Sequence, residues 1–282
     1  MTFSRALEAL RRNFGLVLVP VLLDLFSLFM VFFLLGEGVG RIPPDQFRVK
    51  FALPTVPPSI ANVTEIDFWR LDLGVGGWEV LDRLGGAGLQ VFFLLVISFL
   101  VGSFATGGFL GLLKEGLAGR KATVQGFLTH GRYFWKRFIL LQLLLALVFV
   151  VSLIFLLPLI IFTRALGALL IALAFLAVAA LLIFVEYALV DEDLEILPAL
   201  DRSVHTVAGN FRPVLLHILG VAAINFLASF LVNAMGQFSL LPAILVYAPV
   251  GTYGVLVLYC LYRDLHGEDE EPLEITVVDY QQ

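Results

Sequence analysis

Residues 14–35 form an apolar run broken near its middle by one carboxylate, Asp24, and five more runs follow at 88–113, 138–162, 165–190, 211–232 and 240–261. A helix needs roughly 20 mainly apolar residues to cross the hydrocarbon layer of a bilayer, and each run supplies that length. The chain reads as an all-α integral membrane protein with six transmembrane helices. Composition agrees, since 60% of the residues are hydrophobic and 15% charged, against about 25% charged in an ordinary soluble domain. Such a chain needs lipid as its solvent.

Arg11 and Arg12 before the first run, and Gly36, Gly38 and Gly40 after it, resemble the flanks of a signal peptide. The run itself is longer than the ~7–15 residues of a signal core, so it reads as a retained helix. The single cysteine, Cys260, lies inside the last run, so neither an internal disulfide nor a CxxC metal or redox site is available. His130, His205, His217 and His266 fall on different segments, no cofactor motif is visible, and nothing in the charge pattern points to nucleic acid. The expectation is a protein with no catalytic residues, no metal and no cofactor.

Basic residues mark the cytoplasmic ends of membrane helices. Arg5, Arg11 and Arg12 precede the first run, and Lys114, Arg120, Lys121, Arg132, Lys136 and Arg137 separate the second from the third. The third-to-fourth turn holds only Arg164, and residues 233–239 hold no charge. This asymmetry predicts a multi-pass protein of the cytoplasmic membrane with both termini inside. The long connection 36–84 then lies outside, where loops of that length translocate largely regardless of charge. Its prolines, Pro43, Pro44, Pro54, Pro57 and Pro58, disfavour a long helix, so it reads as a small extracytoplasmic cap on a membrane domain of residues 1–264, and a surface for a protein partner. Residues 265–282 form an acidic cytoplasmic tail.

The segments leading into the odd-numbered spans resemble one another. Arg5, Leu7, Leu10, Asn13 and Phe14 align without gaps on Arg202, Val204, Val207, Asn210 and Phe211, and residues 127–134 end in Tyr133-Phe134 at the corresponding point. Each is a short amphipathic stretch suited to the headgroup plane, predicting interfacial helices at 122–132 and 194–207 and a possible threefold repeat of interfacial helix, span up, span down. An ordinary run of amphipathic lead-ins would look similar.

The stretch from Tyr187 through Asp191-Glu192-Asp193 to Pro198-Ala199-Leu200-Asp201-Arg202-Ser203, continuing to Gly209-Asn210-Phe211, carries a family resemblance. A span ends in a short acidic turn, an Ala-Leu-x-x-Ser helix follows, and a Gly-Asn-aromatic step opens the next span; Val124-x-x-Phe127 and Tyr133-Phe134-Trp135 look like an earlier counterpart. The pattern resembles uncharacterised six-span prokaryotic membrane proteins similar to the membrane domain of glycerophosphoryl diester phosphodiesterases. The resemblance implies a fold and a membrane role. It does not imply the phosphodiesterase activity, which belongs to a separate soluble barrel in such proteins.

Asp24 lies about ten residues past Phe14, roughly 15 Å deep at 1.5 Å per residue, where a charge costs ~2.5–3.5 kcal/mol on insertion scales. It should face the bundle interior. Gln142, His217 and Asn225 also fall on odd-numbered spans, and if those spans converge the four side chains form a polar track; if not, each is an interhelical hydrogen bond. Pro20 and Pro249 predict kinks, and Gly107 with Gly111 forms a small-x-x-x-small packing face. The functional expectation is a non-enzymatic protein that binds membrane lipid or another amphiphile, or organises membrane partners. The alternative is a transporter or channel using Asp24 and the track.

Overall fold

A computed structural model describes residues 1–35, 49–50, 52–64, 77–163 and 165–266. The expected cap residues 36–48 and 65–76 and nearly all of the acidic tail fall outside that set. The described residues fold into α-helices without strands: α1 (Thr2–Arg12), α2 (Leu18–Leu35), α3 (Gly77–Leu117), α4 (Val124–Thr163), α5 (Ala165–Leu181), α6 (Val185–Asp191), α7 (Ile196–Gly209), α8 (Phe211–Gly236) and α9 (Leu240–Leu265). Five spans are long and apolar enough to cross a membrane, or up to six if the bent pair α1–α2 counts as one.

The amphipathic pattern of α1 is realised directly. Thr2, Ala6, Ala9 and Leu10 are buried on one face, and the helix meets the following span at 88°. The corner is Asn13, which ends α1 with φ −127° and ψ 56°, and Asn210 ends α7 with nearly the same angles, φ −129° and ψ 37°. Asparagine leaves a helix readily because its side chain competes for nearby backbone groups: the Asn13 amide donates to Gly116 O at 3.4 Å and the Asn210 amide to Thr206 O at 3.1 Å.

The middle lead-in behaves differently. Residues 124–132 are continuous with the span in α4, so the expected separate interfacial helix at 122–132 does not form. Tyr133 stands where the other two segments have asparagine, and its hydroxyl instead reaches Asp193 Oδ2 at 2.9 Å. The Pro20 kink is also corrected. A 3₁₀ turn, Phe14–Val17, precedes α2, so Pro20 sits in the first turn of α2, where its missing N–H costs nothing. Pro249 lies inside α9 without ending it.

Small residues set the α3–α4 contact. A Cβ at Gly107 would lie 2.9 Å from Phe134 Cβ, one at Gly108 2.7 Å from the Phe127 ring, and one at Gly111 would overlap the His130 ring. Gly131 of α4 answers with the Phe104 ring at 2.7 Å. The expected face at Gly107 and Gly111 is thus occupied within one chain.

The fourth apolar run is broken. Between α5 and α6 the helix is interrupted at residues 182–184, and Ser203 of α7 closes the gap, its hydroxyl donating to Leu181 O at 2.7 Å and accepting from Phe184 N at 3.1 Å. In a bilayer a freed backbone group needs such a substitute partner. The serine of the Ala-Leu-x-x-Ser pattern therefore has a physical role.

The bundle is closed by its two ends. α1 packs on α9, where Thr2 Oγ1 donates to Asp264 at 2.8 Å, Arg5 pairs with the same carboxylate, and Tyr253 Oη donates to Phe3 O at 3.2 Å. α9 is the most enclosed span, with Tyr247, Tyr259 and Tyr262 fully buried.

Candidate functional site

Part of the connection read from sequence as an outer cap packs among the spans. Residues 49–50 and 52–64 lie among α2, α3, α8 and α9 as non-helical backbone closed by a 3₁₀ turn at Ile60–Asn62. Along α8 the contacts run inward and back: Ser229 Oγ accepts from Lys50 N at 3.0 Å, the Asn225 amide donates to Ala52 O at 2.8 Å, and Ser229 and Asn233 donate to Val63 O at 2.6 and 3.0 Å. The tip is Pro54, seated against Gly254 and Val221; on the way out Pro58 lies against Gly251. These contacts enter from the Asn233 end of α8, and Val221 is ten residues from Phe211, so the tip stops about 15 Å short of the opposite end of that helix.

Irregular backbone at this depth is tolerated only when buried in protein or lining a cavity. The sequence meets that requirement in two ways. Pro54, Pro57 and Pro58 remove three N–H donors that would otherwise need partners, and other backbone groups are served by span side chains and by the loop's own Thr55, Ser59 and Asn62. Asp24 is central among them. It is only 2% exposed; Oδ1 accepts from Ser59 Oγ at 2.6 Å and Oδ2 from Ile60 N at 2.9 Å, while Thr106 Oγ1 donates to Val56 O at 3.0 Å.

Between α2 and α3, this loop leaves a cavity of about 360 Å³. Its walls are mostly apolar, with Leu23, Val56, Pro57 and Ala105; its polar groups are Asp24, Ser27, Ser59, Ser98, Thr106 and Gln142. Phe26, Ile97 and Val101 line it while being exposed on the outer surface of the bundle. The cavity therefore opens sideways, toward where lipid lies.

The four side chains of the expected polar track do not form one row. Asp24 and Gln142 share the cavity wall, with Gln142 Oε1 accepting from Ser103 Oγ at 3.0 Å. Asn225 lies across the loop, bonded to Ala52. His217 stands apart, stacked on the Phe3 ring of α1 at 5.3 Å with Nδ1 at 2.8 Å from Pro213 O. Sequence reasoning missed Ser59, Thr106, Ser229 and Asn233. One signal was available: Asn225, Ser229 and Asn233 are four residues apart and form a polar stripe on one face of α8.

A second polar centre lies at the acidic turn after α6, whose three carboxylates together tie α4, α7 and α9 to it. Asp191 accepts from Tyr259 Oη at 2.8 Å and from Arg263 Nε at 3.1 Å, both on α9. Glu192 pairs with Arg202 of α7 at 3.0 Å and with the Tyr262 hydroxyl. Burial alone would raise the Glu192 carboxyl, but the hydrogen bonds from Arg202 and Tyr262 outweigh it and hold it below the ordinary carboxylate range. Asp193, with φ 55°, faces Tyr133 and Arg137 of α4. Lys114 of α3 caps the end of α6, donating to Val190 O at 3.1 Å and Asp191 O at 2.8 Å.

Among the described residues, no three His, Cys, Asp or Glu side chains gather into a metal-binding group. No curated protein and no solved structure matches the chain. One family model does match, over residues 1–261, and by that match the chain belongs to the family of the domain of unknown function DUF7847.

Proposed function

We propose that this is a non-enzymatic, six-span protein of the cytoplasmic membrane that holds a lipid or another amphiphile in the cavity between α2 and α3. The observation that carries the reading is the cavity's form: apolar walls, a few convergent polar groups and a mouth on the lipid-facing surface. Its ~360 Å³ falls within the 300–1,000 Å³ common for small-ligand sites. Gly102 provides a direct test, because it lines the cavity and a Cβ added there meets no atom within 4 Å. Native mass spectrometry of the purified protein should detect a retained amphiphile, and Gly102→Leu, whose Cβ meets open space and whose longer side chain takes up cavity volume, should reduce occupancy at least tenfold. Equal occupancy in the variant, or none in the wild type, removes the reading.

Transport is the second reading. It is favoured by Asp24 and Gln142 sharing one cavity wall and weakened by the separate position of His217. A role in organising membrane partners through the outer connection remains a proposal about residues beyond those described.

The orientation proposal puts both termini in the cytoplasm, supported by the Lys and Arg asymmetry. In a Cys260→Ala background, Phe238→Cys should react with an impermeant thiol reagent in intact cells and Lys121→Cys only after lysis. The opposite labelling pattern reverses the orientation.

A threefold repeat is supported by three side-chain contacts to a carboxylate. Each joins a lead-in segment to the acid closing the span packed before it: His130 to Glu115, Arg202 to Glu192 and, across the closure, Arg5 to Asp264. The proposed similarity to the membrane domain of glycerophosphoryl diester phosphodiesterases draws support from the same region, where the acidic turn and Ser203 hold the helices in register.

A further inference from the structure

We propose that the cavity selects a cationic amphiphile, an apolar body bearing an ammonium or other organic cation, with Asp24 as its counter-charge. This rests on the amphiphile-binding reading and adds the charge of the occupant.

Three observations converge on it. Asp24 forms part of the cavity wall, and both partners it has, the Ser59 hydroxyl and the Ile60 N–H, are neutral donors. Each carboxylate oxygen accepts one bond there and keeps capacity for a second. Among the described residues, no Lys, Arg or His lines the cavity and no ion pair involves Asp24. The basic side chains of the described residues that do form pairs are committed elsewhere, at the acidic turn and along the lead-in segments. A carboxylate at this depth with no cation beside it among the described residues is balanced by a proton or by a cation brought from outside.

The rest of the wall suits the second of these. Small inorganic cations demand a shell of oxygen ligands, whereas Leu23, Val56, Ile97 and Val101 offer hydrocarbon. An organic cation carries its own apolar body into such surroundings, and the Phe26 ring at the mouth adds a face to which positive charge is attracted. Attraction to Asp24 is screened little at this depth, because the medium around it is hydrocarbon rather than water.

The test uses two ions of matched shape and opposite charge, tetraphenylphosphonium and tetraphenylborate, measured by equilibrium dialysis against the full-length protein in a non-ionic detergent. The wild type should bind the cation at least tenfold more tightly than the anion. Asp24→Asn should abolish that preference, and Gly102→Leu should weaken both ions. Absence of saturable cation binding, or equal binding of the two ions by the wild type, overturns the proposal without requiring any variant to fold. So does a preference that persists in a folded Asp24→Asn. If the two ions bind equally and Gly102→Leu still displaces both, the amphiphile site stands and only its charge preference fails. If Gly102→Leu displaces neither, the cavity is not the site.

Discussion

Asp24→Leu should lower stability by about 2–4 kcal/mol, because one buried and one part-buried donor lose their acceptor at once and an unsatisfied buried group costs about 1–3 kcal/mol. The donors are the Ser59 hydroxyl and the Ile60 N–H, both on the loop that threads the bundle. Leucine returns some apolar contact, but it cannot accept a hydrogen bond. Thermal unfolding in detergent reads the loss directly. A second readout separates release of the loop from general unfolding: a cysteine placed at Ala61 in a Cys260→Ala background should become more reactive toward thiol reagents in Asp24→Leu below the melting temperature. An unchanged melting temperature with unchanged reactivity would show that Asp24 does not anchor the loop.

Arg263→Ala should cost about 3–5 kcal/mol, the usual penalty for removing one partner of a buried ion pair and stranding the other. Asp191 is the stranded group, with its side chain 2% exposed against 16% for Arg263. The Tyr259 hydroxyl would remain as a neutral partner. Replacing both members with leucine should be less damaging than Arg263→Ala alone, since no buried charge is then left over. Melting curves for the single and double variants decide it, and a double variant as unstable as the single one would mean that packing, rather than charge, dominates at this turn.

These two sites differ in how legible they were. The all-helical membrane class follows from run length and composition, and Asp24 stands out because one carboxylate among some twenty apolar residues demands an interior partner. Its partner was not legible. Hydropathy identifies segments that satisfy their own backbone as helices, and the Pro-rich stretch 54–58 fails that criterion, so it reads as lying outside the membrane. It packs among the spans because their side chains replace the hydrogen bonds a helix would supply itself. The stripe Asn225, Ser229 and Asn233, at four-residue spacing, was the clue, since a polar stripe on a span implies something polar beside it.

Local chemistry also decided where helices end. Asn13 and Asn210 mark real corners, whereas Tyr133 lacks a short side chain able to compete for backbone groups, and α4 runs through. Pairing each lead-in with an aromatic residue concealed that difference. For the acidic turn, the sequence pattern gave position but not purpose: three adjacent carboxylates reach three different helices only because Asp193 turns the chain through a left-handed conformation.

The contact between α1 and α9 bears on how such a chain is made. A ribosome delivers Thr2, Arg5 and Asp24 early, while Asp264, to which Thr2 and Arg5 bind, emerges near the end of the described chain. The loop that satisfies Asp24 arrives soon after it, but Gly251 and Gly254, which seat that loop, belong to the last span. Through most of synthesis the first span therefore holds a carboxylate in or near the bilayer whose surroundings are incomplete. Such intermediates expose polar groups to lipid and are prone to misassembly. Retention of the early helices by the insertion machinery until α9 emerges would protect them, making the folded bundle a property of the chain through α9 rather than of any shorter nascent product.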